Sequence, residues 1–124
     1  MTKLNHPLLT QKHTEVYHED EAEMRYGAPH HFRVQTVAND SDQLVGILGE
    51  VDFQKGPVKE AGINGVMNED VLGMVLTRLE HFQKTQFACR ENAVAITKIE
   101  EALMWLRRRT TAREQRGIEG THTV

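Results

Sequence analysis

With 124 residues, 39% of them hydrophobic and 6% aromatic, the chain has material for one domain with a modest core, and a long helix in it would need cover from another subunit. A formal net charge of −3 argues against a protein that coats nucleic-acid polymers through its overall field, so any anion site must be local. Cys89 is the only cysteine, which excludes an intrachain disulfide; residues 1–9 do not read as a signal peptide, and no apolar run approaches the ~20 residues that cross a bilayer. The expectation is a soluble intracellular protein with no membrane partner.

Residues 1–30 are polar, with acidic residues at Glu15, Glu19, Asp20, Glu21 and Glu23 and a closing Gly27-Ala28-Pro29. Nothing there keeps a hydrophobic period, so the segment reads as an arm without assigned elements. Over 31–37, Phe32 and Val34 alternate with Arg33 and Gln35, the period of a half-buried strand. Asn39-Asp40-Ser41-Asp42 predicts a turn, and 44–53 predicts a second, antiparallel strand in which Gly46 and Gly49 suggest a bulge, a bend or close backbone approach. A glycine-bearing connector follows over 58–66.

Asn68, followed by Glu69 and Asp70, predicts a helix start with an amide cap, and the helix runs to about Gln83 on a stripe of Leu72, Val75, Leu76, Leu79 and Phe82. A short loop near 84–86 leads into a second helix that ends at Arg113 or Arg116, with Gly117 as its cap. Asn92, Ala95, Ile96, Ile99, Ala102, Leu103 and Leu106 share the face that should pack on the first helix in an antiparallel hairpin. Val94, Met104 and Trp105 fall outside that stripe and call for a second cover, the sheet or another subunit. The expected fold is α+β: an arm (1–30), then one domain (31–124) made of strands and connector (31–66), helical hairpin (67–116) and tail (117–124), in an oligomer.

The strongest local charge is Arg107, Arg108, Arg109, Arg113 and Arg116, opposed within that stretch by Glu114. Its plainest role is compensation of the helix dipole. At about 100° per residue, however, Arg109 and Arg113 stand one turn apart beside the apolar seam while Arg108 points away, and two such guanidiniums can grip phosphates with forked hydrogen bonds. Phe82, Phe87 and Asn92 near the hairpin loop offer a stacking surface and an amide for a base, against the commoner roles of core and first-turn residues. Aromatics and arginines sit near opposite ends of one helix, so a site using both needs a second chain.

Other constellations carry less. Cys89 near a helix start with Arg90 has the setting of a lowered thiol pKa, but none of the seven histidines stands at a diagnostic spacing to act as its base. The adjacent His30-His31 lacks helix-face metal spacing, and Gly46-Ile47-Leu48-Gly49 lacks the lysine and third glycine of a phosphate loop. No catalytic residue, metal ligand or cofactor is expected.

The segment FACRENAVAITKIEEALMWLRRRTTAREQRGIEGTHTV resembles the helical hairpin shared by the phage sponges that counter Thoeris and CBASS immunity, and the preceding VDFQKGPVKEAGINGVMNEDVL is similar to the strand, connector and first helix of the Thoeris sponges. The resemblance covers about 51–124 closely, 32–50 moderately and the first 30 residues not at all. It implies a small antiparallel sheet with a long helical hairpin, assembled as dimers and hexamers, which binds cyclic ADP-ribose isomers without cleaving them in the cytoplasm of an infected bacterium; some members also bind cyclic oligonucleotides. In that family the ligand lies between chains, with an aromatic and an asparagine on the base and two arginines on the phosphates. Those roles fall here on Phe82 or Phe87, Asn92, Arg109 and Arg113. The rival readings are a hydrolase of the same signal and an adaptor for nucleic acid or an effector.

Overall fold

The computed structural model describes residues 1–37 and 46–123, so the turn predicted at 39–42 and the strand positions Leu44 and Val45 lie outside the described residues. The chain divides into two compact units: Met1–Gly56 with Ile63–Gly65, and Pro57–Gly62 with the residues from Val66 onward. The class is α+β.

The first unit is a four-stranded antiparallel sheet in the order β1 (Thr2–Lys3), β2 (Thr14–His18), β3 (His31–Thr36), β4 (Ile47–Asp52). Its two faces follow from strand alternation. Val16, Phe32, Val34 and Val51 fall on one face, where Phe32 meets Phe53 edge-to-face at 5.5 Å and His18 at 6.0 Å. The other face is a polar ladder of Lys3, Glu15, Tyr17, Arg33, His31, Glu50 and Asp52; Lys3 lies 3.6 Å from Glu15, and His31 lies 2.7 Å from Asp52.

The bulge expected from Gly46 and Gly49 is present. Val34 pairs with Gly49 and Gln35 with Ile47, leaving Leu48 as the extra residue on β4.

Residues 1–30, to which the sequence assigned no element, supply β1 and β2. The alternation in TEVYH rests on Val16 alone among aliphatic residues, too little for a periodic signal, and the strand is held by its pairing to β3. Glu19, just past β2, is the one buried charged residue among the described ones. Its carboxylate accepts the His30 N–H at 2.5 Å, and its own N–H donates to the His31 carbonyl at 3.1 Å. These bonds tie the end of β2 to the start of β3, and the bond from His30 draws the Glu19 carboxyl below its ordinary range against the opposing effect of burial.

Two positions close the sheet unit. The Asn64 side chain accepts the Lys55 N–H at 2.7 Å and donates to the Lys55 carbonyl at 2.8 Å. A Cβ on Gly65 would stand 2.5 Å from the Phe53 carbonyl carbon, so only glycine fits there.

The second unit holds α1 (Val58–Ala61), α2 (Asn68–Phe82) and α3 (Arg90–Gln115). The connector predicted over 58–66 thus contains a helical turn. The predicted amide cap is corrected: Met67 is the N-cap and Asn68 the first helical residue, while Asp70 takes over the capping by accepting the Met67 N–H at 2.9 Å. α2 and α3 contact each other. On α3 the predicted stripe from Asn92 to Leu106 is half-buried throughout, whereas Val94, Met104 and Trp105 are exposed. On α2 the predicted stripe holds except at Val75, which is exposed.

Among the described residues no apolar side chain is buried. Among the described residues no helix is long and apolar enough to cross a membrane.

Candidate functional site

The turn between α2 and α3 is built by two side chains. Gln83, the C-cap of α2, donates its amide N–H to the Cys89 carbonyl and accepts the Cys89 N–H on its oxygen, both at 3.0 Å. Thr85 donates its hydroxyl to the Phe82 carbonyl at 2.7 Å and accepts the Phe87 N–H at 3.1 Å. Four hydrogen bonds thereby fix the backbone on both sides of Phe87 and start α3 at Arg90, with Cys89 as N-cap.

Phe82 and Phe87, offered as alternatives by the sequence, are brought together edge-to-face at 6.3 Å. Their surroundings differ. The Arg78 guanidinium lies 5.0 Å from the Phe82 ring centroid, so Phe82 is flanked by a cation and by Phe87, while Phe87 is 63% exposed. Phe87 therefore presents the more open ring. Asn92 sits half-buried in the first turn of α3, on the stripe that continues to Leu106.

The other half of the candidate set stands at the far end of α3. Asn92 and Arg109 are ~25 Å apart along the helix at ~1.5 Å per residue, so one chain does not bring the aromatics and the arginines together. Arg109 is exposed, and Arg113, one turn on, is half-buried. Arg113 donates from Nη2 to the carbonyls of Ile118 at 3.2 Å and Thr121 at 2.8 Å. Arg108 lies elsewhere on the helix, with its guanidinium 5.2 Å from the Trp105 ring centroid.

Three features of this region escaped sequence reasoning. Arg78 had a findable signal, because a cation four residues before an aromatic on one helix face is a pairing position. Gln83 and the carbonyls of the tail had none, since both act through backbone geometry across a turn.

Chemically, two cations at one end of a long helix can hold phosphate oxygens, and an exposed ring on a hydrogen-bonded turn can stack on a planar group. The class is α+β, and the helical unit carries groups of the kind a small anionic ligand with a planar ring would engage. Residues 46–111 match the Acb2/Tad1 hairpin domain, and the chain belongs to that family. It is also similar over nearly its full length to Thoeris anti-defense 1 of Bacillus phage SBSphiJ7, with 51% identity across 98% of this chain and 99% of that protein.

Proposed function

We propose that this chain is a phage anti-defence protein that sequesters cyclic ADP-ribose isomers (gcADPR) of the Thoeris system intact, in the cytoplasm of the infected bacterium. Cyclic oligonucleotides of the kind CBASS uses are its second ligand class. The observation that carries the reading is the near full-length similarity to Thoeris anti-defense 1. In this reading α2 and α3 are the antiparallel arms of a hairpin, and hairpins of different chains complete each site. One chain supplies Phe82 or Phe87 and Asn92 for the base; another supplies Arg109 and Arg113 for the phosphates.

Two structural facts support assembly. The ~25 Å between Asn92 and Arg109 exceeds what one small nucleotide bridges along a single helix. A chain with no buried apolar side chain among its described residues, and with Met104 and Trp105 more than two-thirds and about two-thirds exposed, has apolar surface for a second copy to cover.

Equilibrium binding of gcADPR to the wild-type chain and to Arg109→Ala tests the phosphate assignment. Loss of charge-assisted hydrogen bonds worth on the order of 1.5–3 kcal/mol weakens binding tenfold or more with the fold intact. Wild-type affinity in Arg109→Ala contradicts the assignment.

A further inference from the structure

Residues 117–122 are organised around Arg113. α3 ends in a Schellman turn: Gly117 adopts φ 70°, its N–H reaches the Glu114 carbonyl at 3.0 Å, and the Ile118 N–H reaches the Arg113 carbonyl at 3.1 Å. The Thr121 hydroxyl and N–H both donate to the Ile118 carbonyl, at 2.6 and 3.2 Å. The segment is then fastened to α1. The Lys59 N–H donates to the Gly120 carbonyl at 3.0 Å, the Lys59 ammonium pairs with Glu119 at 2.7 Å, and His122 pairs with Glu60. Gly120 has φ 73°, and a Cβ there would meet the Lys59 side chain at 3.0 Å, so the approach of the two segments depends on glycine.

This arrangement presents two carbonyls to one nitrogen of Arg113. Both bonds fall on Nη2, which sets the plane and direction of the guanidinium and leaves the hydrogens of Nε and Nη1, on opposite sides of it, as the donors for another acceptor. An arginine restrained in this way loses less rotamer freedom when it takes a phosphate than one on an unrestrained stem.

We propose that residues 117–122 are a strap that orients Arg113 toward phosphate, with Lys59, Glu60 and His122 as positioning residues. The inference rests on the reading that Arg113 holds a phosphate of the ligand. It differs from a merely structural tail because its effect passes through one side chain.

The test measures gcADPR affinity by titration calorimetry for the full chain, Arg113→Ala, Glu60→Ala, His122→Ala and a chain ending at Gly117, with thermal melting of each. The shortened chain is also measured in an Arg113→Lys background, which keeps the charge but not the guanidinium that the tail carbonyls hold. The strap predicts about tenfold weaker binding in the shortened chain and about threefold in each point variant, with melting little changed and no further loss from shortening once Arg113 is Lys. The point variants, which leave α1 and α3 intact, keep the test decisive if the shortened chain melts early. Unchanged or tighter binding in the shortened chain and both point variants overturns the strap while leaving the phosphate reading in place, and shows that the tail carbonyls do not assist Arg113. Equal loss from shortening in both backgrounds overturns it too, because the tail then acts elsewhere. Normal binding by Arg113→Ala overturns the phosphate role of Arg113 on which the strap depends.

Discussion

Glu19 and Arg113 use the same economy, a charged side chain satisfied by backbone groups instead of by an opposite charge. For Glu19 the consequence is a linkage of stability to pH. Its folded carboxyl is drawn below the ordinary range by the His30 N–H, so its contribution is fully present above the unfolded value and disappears as pH falls through the lowered folded value. Asp20 shifts in the same direction through the Thr2 hydroxyl and the N-terminal ammonium. Denaturant unfolding across the acidic range should therefore show stability falling on acidification below the ordinary carboxylate range, with Glu19→Gln less stable at neutral pH and less dependent on pH. An unchanged profile in Glu19→Gln would assign the acid sensitivity to other carboxylates.

At the scale of elements, the α2–α3 turn illustrates what periodicity conveys and what it leaves out. The stripe from Asn92 to Leu106 was legible because a helix repeats its faces, and β3 and the β4 bulge were legible from alternation and from paired glycines. Arg109 and Arg113 could be picked out for the same reason, whereas Phe82, Phe87 and Asn92 stood out only as chemical types around the loop and took their ligand roles from the family resemblance. β1 and β2 were not legible, since the pairing that makes them strands comes from β3. The cap at Met67 was missed because Asp70 reaches back to the backbone from three residues away, which displaces the start by one residue from the better capping amide of Asn68. The turn clamp was invisible because Gln83 recognises the backbone of Cys89, whose side-chain identity does not matter to the contact. Gln83→Ala removes both bonds of the clamp and should cost about 1–3 kcal/mol of stability at net values of ~0.5–1.5 each, together with weaker gcADPR binding as Phe87 loosens. Chemical denaturation and calorimetry of that variant check the two effects. Full affinity with reduced stability would show that the ring needs no such support.

Large apolar groups are exposed in both units of the described chain, and α3 contributes Val94, Met104 and Trp105. Met104 and Trp105 project from α3 outside its half-buried stripe, and Arg108 lies over the Trp105 ring. If a second copy covers this face, light scattering of the wild-type protein should give the mass of more than one chain. Trp105→Glu, which places a carboxylate on that surface without touching the half-buried stripe, should shift the mass toward a single chain and reduce ligand binding with it, because a site shared between chains disappears with the assembly. A monomeric wild-type chain would contradict the shared site. The match to the Acb2/Tad1 hairpin domain, residues 46–111, takes in β4, the connector, α2 and most of α3, Met104 and Trp105 included.

The central claim is retention without chemistry. The most direct measurement loads the purified protein with gcADPR, removes free ligand, denatures the protein by heat and identifies what is released by chromatography and mass spectrometry. The account predicts recovery of the unaltered cyclic molecule in stoichiometric amount. Release of a linearised product, or of no nucleotide at all, would contradict it.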